Sequence, residues 1–154
     1  MTTTATSRST AAQPSTAIRS ISAGVVGGLA GGVVFGMMMQ MMDSIPMIAA
    51  LVGSDSIAVG WLVHLAISAF IGGLFGLLLT GRSLGIGAWT GLGLVYGVVW
   101  WVLGPLLLMP AKLGMPLFQV NDMVWKSLMG HMIFGIVLGL VTALILRRSP
   151  SASS

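Results

Sequence analysis

Four long apolar segments follow one another along the chain, separated by short stretches that carry most of the polar residues and prolines. Each segment spans about 22 to 26 residues, and about 20 apolar residues suffice for a helix to cross the hydrocarbon core of a bilayer. The pattern predicts transmembrane helices near residues 20–42, 57–80, 84–108 and 125–146. The predicted fold class is therefore all-α, a polytopic four-helix membrane protein.

The predicted helices carry small residues at every fourth position. A spacing of four places these residues on one helix face. Inside a bilayer the helical backbone satisfies its own hydrogen bonds, so glycine stripes become faces for close helix packing. The glycines predicted to pack are Gly24, Gly28, Gly32, Gly36, Gly72, Gly76, Gly93, Gly97, Gly135 and Gly139.

The only two histidines, His64 and His131, each stand at the head of such a small-residue ladder. An ionisable residue inside a membrane is a functional hypothesis by default. Two imidazoles at equal depth could bind one haem b iron axially, with the glycines leaving room for the porphyrin. The structural alternative is that each neutral imidazole donates to a backbone carbonyl of a neighbouring helix, near Gly36 in one half and Gly97 in the other.

The chain also contains an apparent internal repeat. The segment Gly32-Val-Val-Phe35-Gly36 matches Gly93-Leu-Val-Tyr96-Gly97, and the second and fourth predicted helices share the histidine-headed ladder. Two tandem helical hairpins would run in the same direction, so an axis along the membrane normal would relate them. This arrangement is a parallel repeat.

Methionine is concentrated at one end of the predicted bundle. Every methionine except the first maps to the half that holds the two longer loops. Thioethers and imidazoles are suitable ligands for Cu(I), whereas methionine is also a flexible filler of packed surfaces. The hypothetical metal ligands are His64, His131, Met37, Met41, Met129 and Met132.

Composition and charge support a membrane protein. The chain is 56% hydrophobic and 6% charged, against roughly 25% charged residues in ordinary soluble domains. Its net charge of +4 comes from residues that flank the spans, without the Lys/Arg cluster of a nucleic-acid site. Arginine lies on the side of both termini, which predicts cytoplasmic N- and C-termini in the cell (inner) membrane. The arginines that determine this orientation are Arg8, Arg19, Arg82, Arg147 and Arg148, opposed by Lys112 and Lys126.

The chain divides into one membrane domain and two tails. Residues 1–19 are rich in Ser and Thr and are predicted to be a disordered cytoplasmic tail, as are residues 148–154. Residues 20–147 form the single transmembrane domain. A signal peptide is the alternative at the N-terminus, but the apolar run 21–42 is too long and lacks a small-x-small cleavage site, which favours a retained helix.

Several function classes lack their usual residues. Cysteine is absent, no charged residue lies in the interior of a span, and there is no nucleophile elbow, zinc motif or P-loop. We therefore predict a non-enzymatic membrane protein that acts through glycine-lined packing, as a homo-oligomer or as the subunit of a membrane-protein partner. The alternatives are haem b or copper binding and, third, a small-solute or ion channel along the glycine faces, capped by Gln40.

Three stretches carry a resemblance to other proteins. They are Val59-Gly-Trp-Leu-Val-His-Leu-Ala-Ile-Ser68, Gly97-Val-Val-Trp-Trp-Val-Leu-Gly-Pro-Leu106 and Leu128-Met-Gly-His131. Together they resemble a group of small four-helix integral membrane proteins of bacteria and archaea. The resemblance covers about residues 20–146 and implies the four-helix architecture, but it implies no activity.

Overall fold

The computed structural model describes residues 15–148, which contain helices and no strand. The elements are α1 (Thr16–Met41), α2 (Ile45–Ala50), α3 (Ile57–Leu78), α4 (Ile86–Leu103), a π-helical turn (Gly104–Leu108), α5 (Met109–Leu113) and α6 (Asp122–Arg148). Four stretches are long and apolar enough to cross a membrane, namely α1, α3, α4 continued through α5, and α6. The predicted all-α, multi-pass architecture is confirmed.

Two spans begin earlier than predicted because a polar side chain caps each one. Ser15 Oγ accepts a hydrogen bond from the amide of Ile18 at 3.4 Å, so residues 16–19 are helical rather than part of a tail. At α6, Asn121 Oδ1 accepts from the amide of Val124 at 3.0 Å, and the helix begins at Asp122. Side chains of this kind satisfy amide groups that have no partner in the first turn of a helix.

The predicted tails lie largely outside the described residues. The structure describes neither residues 1–14 nor residues 149–154, so the prediction of disorder there stays a prediction. At the C-terminal end, Arg148 belongs to α6 rather than to the tail.

The connection between the first two spans contains a short helix that the sequence pattern did not predict. Pro46 occupies the first turn of α2, a position that needs no amide hydrogen. Ile45 and Ala49 of this helix are fully buried. Gly60 of α3 makes room for Ile45, because a Cβ built there would overlap the Ile45 side chain.

The third span is not one continuous α-helix, which corrects the prediction of a single helix over 84–108. Pro105 and Pro110 lack the amide hydrogens that an α-helix needs at these positions. The chain instead forms the π-helical turn, in which the amide of Met109 donates to the Gly104 carbonyl. The Leu106 carbonyl, which Pro110 cannot bond, accepts from the amide of Phe118 at 3.0 Å.

The four spans pack side by side in the order α3, α1, α6, α4. The helices α1 and α6 lie in the middle, each with two neighbours, whereas α3 and α4 have few direct contacts with one another. Both described chain ends and the turn between α3 and α4 lie at one end of the bundle, which we call the termini end. The connections that contain α2 and α5 lie at the other end, the loop end.

The pairs α1–α3 and α4–α6 meet through glycine in the same way. A Cβ built on Gly28 would overlap the carbonyl oxygen of Ser68, and one on Gly93 would overlap that of Gly135. In these contacts Gly93 takes the place of Gly28. The sequence comparison matched Gly93 with Gly32 instead, one helical turn further along α1.

The pair α1–α6 also meets closely, through a second glycine stripe of α1. A Cβ on Gly27 would lie 2.6 Å from Thr142 Oγ1, and one on Gly31 would lie 2.8 Å from the Phe134 carbonyl oxygen. Thr142 is fully buried, and its hydroxyl donates to the Ala23 carbonyl at 3.4 Å.

Aromatic side chains separate α3 from α4 in the termini-end half. The Phe75 ring packs against Trp89 and Tyr96, with ring centroids 5.7 and 5.1 Å away. The Tyr96 hydroxyl donates to the Ile71 carbonyl at 3.0 Å. These rings fill the gap between the two helices at this depth. Nearer the loop end, the same gap is open.

Candidate ligand cavity

A cavity of about 770 Å³ occupies the loop-end half of the gap between α3 and α4. Residues of α1 and α6 form its back wall, α2 and the 110–121 connection lie at its loop end, and its lining is predominantly apolar. Ile67 and Phe70 of α3 line the cavity and are nevertheless 39% and 66% exposed. Leu108 faces the cavity from the other side and is also exposed. The cavity therefore opens sideways, toward the region a bilayer would occupy.

His131 lines this cavity from α6. Its Nδ1 lies 2.8 Å from the Ser127 carbonyl oxygen and 3.3 Å from Ser127 Oγ. A carbonyl oxygen only accepts, so Nδ1 carries the proton and donates. In a neutral ring, Nε2 then carries the lone pair. The predicted bond to a carbonyl near Gly97 is not formed, because the ring is held within its own helix.

His64 lines the same cavity from α3 and is buried. Its Nε2 lies 2.9 Å from the carbonyl oxygen of Gly32 on α1 and donates to it. An interhelical bond of this kind was the structural alternative for His64, although the acceptor is one turn away from Gly36. Ser68 Oγ donates to the His64 carbonyl at 2.8 Å, which keeps that hydroxyl within its own helix.

The Phe35 ring packs against both histidines. It makes edge-on contacts with His64 and His131, with ring centroids 5.6 and 4.8 Å away. Phe35 is buried, and Gly130 of α6 provides the space for its ring. A porphyrin bound by both imidazoles would have to share this space with Phe35. It would also have to replace the bond from His64 Nε2 to Gly32.

The four methionines of the copper hypothesis lie away from the cavity. Met37, Met41, Met129 and Met132 are all exposed, Met41 to 86%, and none lines the cavity that both histidines line. Six other methionines do contribute to the lining. They are Met39, Met42, Met47, Met109, Met115 and Met123.

All ten glycines predicted to pack have close neighbours within the chain. A Cβ on Gly24 would overlap the Gly72 carbonyl, one on Gly76 the Ser20 carbonyl, and one on Gly139 the Trp89 carbonyl. Neighbouring helices thus occupy the faces along which a channel was considered. By contrast, a Cβ on Gly87 or Gly91 of α4 would meet nothing within 4 Å.

Sequence reasoning missed Gly104 and Pro105, which shape the wall opposite His131. A Cβ built on Gly104 would lie 3.9 Å from His131 Nε2 and close to no other group. The Gly-Pro dipeptide was a usable signal, since proline interrupts a helix and π-turns often occur at functional sites. Phe35 carried no such signal, because an aromatic residue in an apolar segment is ordinary.

Comparison with known proteins adds no further constraint to the site. No protein family, curated protein or solved structure matches this chain. Among residues 15–148, no group of three or more His, Cys, Asp or Glu side chains could hold a metal ion. The site is therefore interpreted from its own geometry.

Proposed function

We propose that this chain is a non-enzymatic integral membrane protein that binds a lipid-like, apolar molecule in the cavity between α3 and α4. The observation that carries the proposal is the cavity itself. Its volume of about 770 Å³ lies within the 300–1,000 Å³ that is typical of small-molecule sites. An apolar lining with a few convergent polar groups is also typical of such sites.

The sideways opening favours a ligand that is dissolved in the bilayer. The mouth is flanked by Ile67, Phe70 and Leu108, none of which is polar. Among the described residues, Lys112 at the loop end is the one charged side chain in the lining, and it lies away from the mouth. A charged solute passing this mouth would lose its hydration without gaining a partner, which is costly.

Within this proposal, glycine-lined packing acts inside the chain. The ten glycines hold α3 against α1 and α4 against α6, so they define the walls of the cavity. A homo-oligomer or a membrane-protein partner would have to use other surfaces. Because α4 is the least buried span, its outward face is available for such a partner or for the lipid bilayer.

A photoactivatable lipid tests the proposal directly. The probe is hexadecyl methyl ether with a diazirine at mid-chain, added to the purified full-length protein in lipid nanodiscs. We expect the label to map to the cavity lining on α3 and on 104–109, with saturation at low mole fraction. Labelling that is spread evenly over the exposed backs of α1 and α6, without saturation, would contradict the proposal.

A matched pair of variants localises the binding. Gly104→Phe places a ring in the cavity, whereas Gly91→Phe places the same ring on the outer surface of the same span. We expect Gly104→Phe to reduce saturable labelling by more than tenfold and Gly91→Phe to leave it unchanged. Equal labelling of the two variants would exclude this cavity as the site.

A second candidate function is copper or haem binding. It is favoured by one observation, that both histidines and six methionines line a single cavity. Cu(I) accepts thioether and imidazole ligands. The test is the metal content and the absorbance spectrum of the protein purified from copper- and haem-supplemented cells. Copper no higher than in a protein-free control, together with the absence of a Soret band, would exclude both groups.

A further inference from the structure

We propose that the cavity recognises a neutral lipid with a hydroxyl group at one end, and that His131 Nε2 accepts the hydrogen bond from this hydroxyl. The inference rests on the proposed function, because it names the chemical class of the ligand in that site. Long-chain linear alcohols and isoprenoid alcohols share this chemistry.

The His131 ring carries its proton on Nδ1. Nδ1 donates to the Ser127 carbonyl oxygen at 2.8 Å, and the Ser127 hydroxyl is a second neighbour at 3.3 Å. These contacts fix the ring orientation and the tautomer. A neutral imidazole fixed in this way offers one acceptor at Nε2 and no further donor. It therefore selects a donor group in the ligand.

Nε2 of His131 is accessible from the cavity. No hydrogen bond to Nε2 is formed by the described residues, and this atom is not sealed within the protein. The nearest position on the facing wall is Gly104, where the missing side chain leaves space in front of the imidazole. Gly104 begins the π-helical turn, so the interruption at Pro105 places the only glycine of that turn opposite His131.

The surroundings of His131 Nε2 are mainly apolar. Phe35 packs against the His131 ring, and Phe134 lies one turn deeper in the same cavity. Apart from Lys112, the described residues that line the cavity carry no charge, so a neutral hydroxyl fits better at His131 than an ionised group does. Lys112 lines the cavity only at its loop end and offers the alternative partner for a carboxylate.

The apolar tail of the ligand can follow the gap between α3 and α4. From the space between His131 and Gly104, the mouth between α3 and α4 leads past Ile67 and Phe70 to the outside of the bundle. A hydroxyl held at His131 thus leaves the chain of the ligand in apolar surroundings over its whole length. Hydrocarbon surroundings strengthen the single hydrogen bond, since neither partner has water to compete for it.

The experiment compares pairs of ligands that differ in one donor. Hexadecanol and hexadecyl methyl ether compete with the photoactivatable ether in nanodiscs of full-length protein. Farnesol and its methyl ether form a second pair, which tests whether the cavity prefers a branched isoprenoid chain or a linear chain. In at least one of the two pairs, we expect the alcohol to bind about fivefold more tightly than its ether, because one net hydrogen bond contributes about that much.

Substitutions then assign this preference to His131. In His131→Phe the alcohol and its ether should bind equally, because the ring is kept and the acceptor is lost. Gly104→Ala keeps the imidazole but places a methyl group in contact with Nε2, and it should reduce the preference below about twofold. Gly91→Ala, on the same span with open space around it, should retain the full preference.

The outcomes separate the two proposals. If the ethers compete but the alcohols have no advantage in the wild type, the hydroxyl inference is wrong and the cavity proposal stands. If no ligand of either pair competes, the proposed function itself fails. If hexadecanoate competes better than hexadecanol, the polar contact is with Lys112 and not with His131, which also overturns the inference.

Discussion

The α1–α6 and α3–α4 interfaces differ although the helices that form them look alike in sequence. Gly27 and Gly31 bring α1 into backbone contact with α6. Between α3 and α4, the Phe75 and Tyr96 rings hold the helices apart. The first interface is closed at Gly27 and Gly31, whereas the second is filled by rings at the termini end and open at the loop end.

The difference follows from side-chain size at matching positions. Gly28 of α1 and Gly93 of α4 make equivalent contacts with their partner helices, so the two helices can be aligned on these residues. In this alignment, Gly27 and Gly31 of α1 correspond to Leu92 and Tyr96 of α4. The partner helices α3 and α6 align in the same way on Ser68 and Gly135, and Phe75 of α3 then corresponds to Thr142 of α6. Small residues thus bring α1 and α6 together, and large residues hold α3 and α4 apart, which leaves room for the cavity.

The largest expected effect comes from breaking the closed interface. Gly31→Leu would push a side chain into the Phe134 backbone and ring. Overpacking usually costs 1–3 kcal/mol and more where backbone must move, so we expect a loss of more than roughly 3 kcal/mol in the free energy of unfolding. Unfolding in mixed micelles, followed by circular dichroism, measures it. Gly91→Leu is the control and should stay within about 1 kcal/mol of wild type.

The next effect concerns the rings that hold α3 and α4 apart. Phe75 is almost fully buried, so Phe75→Ala should leave a cavity and lower the free energy of unfolding by on the order of 3 kcal/mol. Phe70→Ala, on the exposed side of the same helix, should cost less than about 0.5 kcal/mol. Similar costs for both variants would show that Phe75 is not a spacer between the helices.

The two histidines should differ in their contribution to stability. His64→Leu removes an interhelical bond to Gly32 and should cost about 1 kcal/mol. His131→Leu removes only a hydrogen bond within its own helix and keeps an apolar side chain against Phe35, so it should cost less than about 0.5 kcal/mol. Both are measured by the same unfolding titration. Equal costs would mean that His64 and His131 contribute to stability in the same way.

The smallest effect separates the Tyr96 ring from its hydroxyl. Tyr96→Phe keeps the ring between the helices and removes the bond to the Ile71 carbonyl. Interhelical hydrogen bonds in membranes average about 0.6 kcal/mol, and we expect a loss of that size. A loss above about 2 kcal/mol would show that the hydroxyl, rather than the ring, determines the spacing of α3 and α4.

The sequence predicts the four spans well because length and apolarity alone determine them. It also identifies the glycine stripes that hold α1 to α3 and α4 to α6, since a spacing of four defines a helix face. It does not identify which helices are neighbours. Gly27 and Gly31 are visible in the sequence as a second stripe, but nothing in the pattern shows that α6 is their partner.

The cavity could not be predicted for a related reason. The spans are apolar on all sides, so hydrophobic periodicity does not distinguish the lining from the lipid-facing surface. Met39 and Met41 are two residues apart in the same methionine run, yet one lines the cavity and the other is exposed. The role of Gly104 depends on the π-helical turn, which rotates the following residues relative to a continuous helix.

The sideways mouth between Ile67 and Leu108 has a consequence for how occupancy is controlled. A ligand that enters from the hydrocarbon has already left water, so lengthening its chain changes its partition into the bilayer more than its transfer from the bilayer into the cavity. The quantity that sets the bound fraction is therefore the mole fraction of the ligand among the lipids. Diluting the protein and its ligand with more bilayer should empty the site, whereas diluting the same membranes with buffer should not.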